Sequence, residues 1–283
     1  MKIRFFIGID ISARTLDFCI MVDGKAIEYH CIGNTKKELK KLFRKFVSNG
    51  MTQHNSWICA EHTGSYGYRL RLFLEETGYR YSMVPAIEVK KSTALSRGKN
   101  DKVDSKRIAE YAFRFQDKLK ESRLPEKYLI RLKNLFKYRQ QRVRNSTRLK
   151  NQIKQLETQW ECGPRDYMLV NAKMEQEQCG KVIKEVDRQI RELINSVEKA
   201  KRNHELVRSV LGDGPMTACY LLICTDNFEL FDDTRKFASF AGLAPFENRS
   251  GSSIKGRTRT SKLRDRQIKA LLKRGQFGNL GKK

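Results

Sequence analysis

The pattern of apolar and polar residues predicts a β-rich start to the chain. Residues 4–10, 16–22 and 25–31 are rich in the β-branched and aromatic residues that favour strands. Asp23 and Gly24 separate the second run from the third, and this pair favours a two-residue hairpin turn. We therefore expect three strands joined as an antiparallel meander.

Helical and extended patterns alternate in the segment that follows. An amphipathic helix is predicted from apolar residues at helical spacing, namely Leu39, Leu42, Phe43 and Phe46. Residues 56–61 have the pattern of a strand, residues 66–77 that of a helix, and residues 79–84 that of a further strand. A meander followed by alternating helices and strands is the element order of an RNase H-like (RuvC-like) α/β fold, which we expect for a first domain at 1–118.

Two long helical patterns occupy residues 119–204. The apolar positions of the first are Leu132, Phe136, Val143, Leu149, Ile153, Leu156 and Trp160. Those of the second are Cys179, Ile183, Val186, Ile190, Leu193 and Val197. The second series alternates steps of four and three residues, which is typical of a coiled coil. Because Gly163 and Pro164 interrupt the two patterns, we expect a spacer of two antiparallel helices.

The last segment, residues 205–283, contains glycines at several positions along its length. Gly212 and Gly214 have the spacing of a helix-hairpin-helix turn, in which the backbone approaches a phosphate and the next helix presents its first amides. The serines that follow lie in a stretch that reads as a flexible basic loop, and they are Ser250, Ser252, Ser253 and Ser261. We expect a small, mainly α-helical third domain.

The charge balance makes a polyanion the expected partner. The 283 residues include 58 Lys and Arg against 32 Asp and Glu, a formal net charge of +26. Residues 118–154 contain thirteen basic and two acidic residues, and residues 249–283 contain twelve basic and one acidic. Such segments favour nucleic acid as the partner. The residues expected to bind it are Lys133, Lys137, Arg139, Arg142, Arg144, Arg148, Gly212, Gly214, Arg249, Lys255, Arg257, Arg259 and Lys262.

We expect the protein to reside in the reducing cytoplasm. Asp10 interrupts the apolar N-terminus, so a signal peptide is not expected. The longest apolar runs are far shorter than the roughly 20 residues that span a bilayer. The seven cysteines are scattered and show no zinc-ligand spacing, so most are expected to be buried apolar residues.

Four carboxylates occupy positions suited to ligand binding. Asp10 and Glu61 end two predicted strands, where open α/β sheets bind ligands. Asp101 and Asp104 continue the apolar stripe of the next helix, formed by Ile108, Tyr111, Ala112 and Phe115. Both are therefore expected to face inward, away from a solvated face formed by Lys102, Lys106 and Arg107. For Asp101 alone, capping of the helix is an alternative role.

Inward-facing carboxylates need a partner or a metal ion. Oxygen ligands favour Mg²⁺ or Mn²⁺, and two such ions would hold the attacking and leaving oxygens of a phosphodiester. The four acids therefore predict metal-dependent chemistry on a nucleic-acid strand.

The acidic motifs resemble those of the IS110-family transposases, and so does the C-terminal half. The segments that carry the resemblance are 8–12, 61–67, 99–109, 211–218, 237–245 and 250–251. They follow one another in the order of the family and cover about residues 3–272.

The resemblance implies a DEDD recombinase of an insertion sequence, with a RuvC-like domain, a coiled-coil spacer and a serine-bearing domain. It implies Asp10, Glu61, Asp101 and Asp104 as the metal-binding tetrad and Ser250 as the nucleophile. It further implies double-stranded DNA as substrate, a structured noncoding guide (bridge) RNA, and a homo-oligomer, either a dimer or a tetramer. Taken on its residues alone, Ser250 is an ordinary loop serine with no histidine nearby.

Two other functions remain open. A RuvC-like junction-resolving nuclease would use the tetrad with water in place of the serine. Family members continue with further helices after Leu272, whereas this chain ends in a Gly-rich tail, so we expect a truncated serine domain. An inactive remnant that only binds nucleic acid is therefore the second alternative.

Overall fold

A computed structural model of the chain describes residues 3–92, 100–158, 163–210, 214–250, 254–260 and 265–272. The chain forms two compact units, Met1–Leu124 and Pro125–Lys283. The division into three domains, with boundaries after residues 118 and 204, stays a prediction.

The first unit is a mixed α/β domain, as predicted. Its elements are β1 (Phe5–Ile11), β2 (Thr15–Val22), β3 (Lys25–Gly33), α1 (Lys36–Ser48), β4 (Ser56–Glu61), α2 (Tyr68–Thr77), β5 (Tyr81–Val84), α3 (Ala86–Ser92) and α4 (Asp101–Arg114). The strand order is β3-β2-β1-β4-β5. Strands β1, β2 and β3 pair antiparallel, whereas β4 is parallel to both β1 and β5. The antiparallel meander is therefore confirmed, with its turn at Asp23 and Gly24, which have φ angles of 48° and 80°.

Both faces of this sheet are covered, and β1 lies at its centre. One face packs against α1 and α2 through a cluster that includes Ile7, Phe18 and Leu39. The other packs against α4 through a cluster that includes Phe6 and Ile108. A strand buried on both faces reads as a continuous apolar run, which is the pattern of β1 up to its last residues.

The second unit is mainly helical. Its elements are α5 (Lys127–Thr158), α6 (Tyr167–Asn195), α7 (Glu198–Ser209), α8 (Pro215–Cys224), α9 (Thr234–Phe240), β6 (Pro245–Ser250) and β7 (Ile254–Thr260), followed by a helical segment at 266–272. Helices α5 and α6 run antiparallel, because the start of α5 packs on the end of α6 and the end of α5 packs on its start. The helical character of this region is confirmed, while its assignment as a coiled coil stays a prediction.

The packed face of α5 differs from the predicted one in the middle of the helix. Val143, expected in the contact with α6, is 36% exposed. Arg139, Arg142 and Ser146 are half-buried instead. Counted from the buried Phe136, the successive steps are three, three and four residues. Two consecutive steps of three are shorter than the heptad average of about 3.5, so the packed face rotates around the helix.

The prediction of a flexible loop around Ser250 is wrong for residues 245–250 and 254–260, which form two strands. Strands β6 and β7 pair antiparallel, with Ser250 opposite Ile254 at the turn end. Threonines alternate with basic residues along the second half of β7, a pattern compatible with a strand although its polarity suggested a loop. Ser252, Ser253 and Ser261 lie outside the described residues, as do 211–213 of the predicted helix-hairpin-helix turn and Trp160. Among the helices that the structure describes, none is long and apolar enough to cross a membrane.

Candidate active site

The candidate active site lies at the ends of β1 and β4. Asp10 is the penultimate residue of β1, and Glu61 is the last residue of β4. The two strands are parallel neighbours, with Ile9 opposite Ala60, so both carboxylates emerge at the same edge of the sheet. Both residues are half-buried. Local β-structure thus places the two acids side by side, as the sequence pattern predicted.

Helix α4 supplies the other two acids from its first turn. Asp104 is half-buried, but the expectation that Asp101 also faces inward is wrong, since this first residue of the helix is exposed. Asn100 is the N-cap, and its side chain accepts a hydrogen bond of 2.8 Å from the backbone N–H of Val103. Because Asn100 performs the capping, a cap is not the role of Asp101 in this structure.

A glycine in β1 lets α4 lie directly on the strand. A Cβ atom built on Gly8 would lie 2.2 Å from the backbone nitrogen of Ala109 and 2.2 Å from the backbone oxygen of Ser105. No side chain fits at such distances, so the approach of α4 to β1 depends on glycine at this position. Since Gly8 and Asp10 point to the same face of the strand, the acids of α4 are brought to the face that carries Asp10.

The electrostatics of Asp10 show that the four carboxylates share one region. Its pKa is raised to about 6, first by burial and then by the negative charges of Asp101, Asp104 and Glu61. A hydrogen bond from the backbone N–H of Ile11 opposes this shift. Negative charge therefore accumulates around Asp10 beyond what its neighbours neutralise.

Arg107 partly offsets this charge. It was expected on a solvated face, but its side chain is only 20% exposed, and its Nη1 lies 2.8 Å from Oδ1 of Asp104. Residues three apart on a helix are neighbours, so this ion pair forms within α4 and could have been read from the spacing. Lys102 and Lys106 are exposed, as expected.

The donor set fits a divalent cation in its chemistry. Carboxylate oxygens are the ligands that Mg²⁺ and Mn²⁺ prefer, and a cation would relieve the excess negative charge at Asp10. Within the described parts of the chain, no three acidic, histidine or cysteine side chains form a group arranged to hold a metal ion. Binding would therefore have to draw these carboxylates closer together than they are here.

The predicted nucleophile lies in the second unit. Ser250 ends β6, and the neighbouring Arg249 is paired with Lys255 across the hairpin. Arg257 and Arg259 belong to β7. Of the remaining predicted contacts in this region, Gly214 is the N-cap of α8, whereas Gly212 and Lys262 lie outside the described residues.

The six basic residues predicted on α5 divide into two groups. Lys133, Lys137, Arg144 and Arg148 are exposed. Their spacing of four, seven and four residues aligns them on one face of the helix, which we call the basic stripe of α5. The other two, Arg139 and Arg142, are half-buried on the packed side.

Arg139 and Arg142 each have a partner within the second unit. The guanidinium of Arg139 donates to the carboxylate of Asp187 on α6 through Nε and Nη2, the latter at 3.3 Å. The guanidinium of Arg142 lies over the ring of Tyr138, 5.1 Å from its centroid. The first contact joins α5 to α6, and the second lies within α5.

Three residues near the acids did not stand out in the sequence. Gly8 and Arg107 have been described, and the third is Asp17, which is directly opposite Asp10 in the β1–β2 pair. Asp17 is 3% exposed, and the hydroxyl of Tyr29 donates a hydrogen bond to it. The register of the predicted hairpin contained a signal for Asp17, since strands 4–10 and 16–22 can place the two aspartates opposite each other.

Comparison with known proteins defines the class. Residues 7–159, more than half of the chain, match a transposase family model of the DEDD type named for IS110. Residues 204–276 match a second model, described as the transposase IS116/IS110/IS902 family. The protein is thus a transposase or recombinase, a class of enzymes that carry out phosphoryl transfer on DNA. Within that class, the chain belongs to the IS110 family of transposases.

Curated relatives agree with this assignment. The chain is 25% identical over 256 residues to the pilin gene-inverting protein of Moraxella bovis, an alignment that covers 89% of this chain and 75% of the relative. The pilin gene-inverting protein of Moraxella lacunata matches with the same identity and coverage.

Solved structures give a weaker likeness. Thermus thermophilus RuvC, alone and in complex with a Holliday junction substrate, matches with a TM-score of 0.31 and 12% identity. The match covers 41% of this chain and 98% of RuvC.

Proposed function

We propose that this transposase cleaves and exchanges DNA strands with a divalent metal ion held by Asp10, Glu61, Asp101 and Asp104. The observation that carries the proposal is the placement of Asp10 and Glu61 at the ends of neighbouring parallel strands, with Asp101 and Asp104 in the first turn of the helix that packs on β1. Mg²⁺ or Mn²⁺ at this position would neutralise the developing negative charge on a scissile phosphate. The carboxylates would hold the ion, and Arg107 would orient Asp104 through their ion pair.

We also propose that the first unit has the RNase H-like, RuvC-like fold. The support is internal to the unit: an antiparallel meander, two further strands parallel to β1, and the strand order β3-β2-β1-β4-β5. The acids emerge at the ends of β1 and β4 and from the helix that packs over them. This arrangement puts the acids at the edge of the sheet where open α/β folds bind ligands.

We assign the nucleophile to Ser250. Its hydroxyl oxygen forms a bond to phosphorus while the bond from phosphorus to the leaving DNA oxygen breaks, and the serine proton passes to that oxygen, directly or through water. The resulting phosphoserine link keeps the energy of the phosphodiester, so the reverse reaction rejoins strands. Support comes from the family motif and from the basic composition of residues 249–259, since cationic groups stabilise a phosphate.

A structured noncoding RNA is proposed as the guide, with double-stranded DNA as substrate. The support is the basic character of residues 118–154 and 249–283 together with family membership.

We further propose a homo-oligomer, a dimer or tetramer, in which acids of one subunit act with Ser250 of another, because the long helices of the spacer separate them along the chain.

The central experiment is the detection of a covalent protein–DNA adduct. Purified protein, Mg²⁺, the RNA encoded beside the gene and both DNA sites should give an adduct that is lost in Ser250→Ala, in Asp10→Asn and when RNA is omitted. A mixture of the two inactive variants should restore it if the active site is shared between subunits. If DNA is cleaved without forming an adduct, and cleavage persists in Ser250→Ala, the protein is a water-dependent nuclease. If it binds DNA but does not cleave it with any metal ion tested, it is an inactive remnant.

A further inference from the structure

Asp17 is a buried carboxylate that the proposed reaction does not use. It is 3% exposed and lies directly opposite Asp10 on the neighbouring strand. Opposite residues of an antiparallel pair point to the same face, so Asp17 lies on the face of the sheet covered by α4. A carboxylate is seldom buried without a partner that compensates the lost hydration. The hydroxyl of Tyr29, on β3, donates a hydrogen bond to it, and the Cys31 thiol on the same strand is a second hydrogen-bond partner.

Tyr29 connects this buried acid to helix α4. The ammonium group of Lys102 lies 5.1 Å from the centroid of the Tyr29 ring, a cation–π contact. The hydrogen bond to Asp17 raises the pKa of Tyr29, so its hydroxyl remains a donor at neutral pH. Asp17 therefore holds the ring in place, and the ring holds Lys102.

Lys102 lies in the turn of α4 that carries two of the four acids. Asp101 precedes it and Asp104 follows it by two residues. Further along the helix, the backbone of Ser105 and Ala109 lies directly against β1 beside Gly8. The Asn100 cap and the Asp104–Arg107 pair are contacts within the helix end itself and do not tie it to the sheet. Among these contacts, the one with Tyr29 fastens the first turn to the sheet.

The first turn of α4 needs a contact with the sheet because Asp10 repels the two carboxylates that this turn carries. Asp101 and Asp104 are the two largest charge contributions to the raised pKa of Asp10, so like charges oppose one another across the site. Before a cation binds, that repulsion favours displacement of the first turn away from the sheet. A cation–π contact on the same turn acts against it.

We propose that Asp17 and Tyr29 are positioning residues, which hold Lys102 and with it the first turn of α4 so that Asp101 and Asp104 face Asp10. The inference rests on the proposed metal site. In this role Asp17 acts as a hydrogen-bond acceptor for Tyr29 and is not itself a metal ligand. A neutral acceptor of the same shape should therefore be able to replace it.

The test is the affinity of the full chain for Mn²⁺, measured by electron paramagnetic resonance of the free ion in the absence of nucleic acid. Tyr29→Phe keeps the ring but loses its anchor, and should weaken Mn²⁺ binding about fivefold, the value of one hydrogen bond. Tyr29→Leu also loses the cation–π contact and should weaken it more. Asp17→Asn retains the acceptor and should bind Mn²⁺ within about twofold of the unmodified chain, whereas Asp17→Ala should match Tyr29→Phe.

Tyr111→Phe is the matched control. It removes a hydrogen bond of 2.9 Å to the carboxylate of Glu88 from a tyrosine near the end of α4, whereas Asp101 and Asp104 lie in the first turn of that helix. A similar small loss of thermal stability is expected in both Tyr→Phe variants, but only Tyr29→Phe should change the Mn²⁺ affinity. A purely structural role of Tyr29 would change stability alone.

The outcomes separate the inference from the proposed function. If the unmodified chain binds Mn²⁺, Asp10→Asn abolishes it and both Tyr29 variants bind as tightly as the unmodified chain, positioning by Tyr29 is wrong and the metal site stands. If Asp17→Asn weakens binding as much as Asp10→Asn does, the charge of Asp17 is what matters and the positioning role is overturned. If the unmodified chain binds no Mn²⁺, the proposed metal site fails, and the inference fails with it.

Discussion

At the scale of single residues, the site depends on the absence of a Cβ atom at Gly8. Gly8 permits the backbone of α4 to lie against β1, where a Cβ would meet the backbone of Ser105 and Ala109 at 2.2 Å. The glycine thus couples the packing of the domain to the placement of Asp101 and Asp104 over Asp10. A residue that contacts no substrate can control the reaction in this way.

Gly8→Ala should therefore impair both stability and activity. Overpacking a well-filled contact costs about 1–3 kcal/mol, and here the atoms in the way are backbone atoms that cannot rotate aside. We expect a loss of that size in urea denaturation and loss of the protein–DNA adduct. Gly33→Ala is the control, since its Cβ would meet only the side chain of Glu38 at 3.7 Å. Equal behaviour of the two variants would contradict the argument.

Asp10 illustrates how a functional charge destabilises the fold that carries it. Its pKa is raised from the ordinary 3.8 to about 6, so the folded state binds protons more strongly than the unfolded state. Between these two pKa values the free energy of unfolding falls as pH rises, because Asp10 ionises at a lower pH in the unfolded chain. A shift of two pKa units corresponds to about 3 kcal/mol, and solvent screening of a half-buried group reduces this to about 1 kcal/mol.

Asp10→Asn should consequently stabilise the metal-free protein at pH 8. We expect the free energy of unfolding, measured with urea and EDTA, to increase by about 1 kcal/mol at pH 8 and by much less at pH 4. Asp117→Asn, at an exposed aspartate of the same unit, should change neither value. A gain of equal size at both pH values would show that the charge of Asp10 is not its cause.

At the scale of secondary-structure elements, the helical pair α5–α6 separates two kinds of basic residue. Arg139 is half-buried and paired with Asp187, whereas Arg144 is exposed on the basic stripe of α5. Removing Arg139 leaves a carboxylate without its partner among packed helices, which is costly. Arg139→Leu should lower the free energy of unfolding by about 1–2 kcal/mol and leave DNA affinity nearly unchanged.

Arg144→Leu should have the opposite profile, with little loss of stability and weaker DNA binding in a filter assay. The double variant Arg139→Leu/Asp187→Leu should recover much of the stability lost by Arg139→Leu, because no unpaired charge remains. If Arg139→Leu weakens DNA binding as strongly as Arg144→Leu does, the division of α5 into a packed and a binding side is wrong.

The sequence could predict those elements whose signals are local. The apolar runs and the Asp23–Gly24 turn were sufficient for the meander, and strand ends were sufficient to bring Asp10 and Glu61 together. The sequence did not predict the contacts between elements. The packed face of α5 rotates after Phe136, where two steps of three residues follow one another, whereas the apolar pattern of the sequence ran on to Val143, which is exposed.

The hairpin β6–β7 was missed for a different reason. Its strands are polar and rich in arginine, threonine and serine, so they lack the apolar alternation by which strands are recognised. Backbone pairing between 245–250 and 254–260 is what defines them. Likewise, the contact of Tyr29 with both Asp17 and Lys102 requires three elements to meet, and no spacing along the chain encodes it.

At the scale of the whole molecule, the four carboxylates and the most basic segments occupy different parts of the chain. The four acids belong to the first unit, whereas the basic stripe of α5 and the basic hairpin belong to the second. The residues proposed to bind metal and those proposed to bind nucleic-acid phosphates are therefore carried by different segments of the chain. This separation predicts that nucleic-acid affinity and metal affinity can be changed independently.

The basic stripe of α5 should determine the salt dependence of DNA binding. Each phosphate contact contributes about 0.9 to the slope of log K against log salt concentration, so Lys137→Gln/Arg144→Gln/Arg148→Gln should reduce the slope by up to about 3. The matched control is Lys173→Gln/Lys181→Gln/Arg188→Gln on α6, which removes the same charge from side chains already paired with Glu157, Glu177 and Glu185. Because those cations are already neutralised, the slope should change much less. Mn²⁺ affinity should be the same in both triple variants, and equal slopes in the two would show that total charge rather than the stripe holds the DNA.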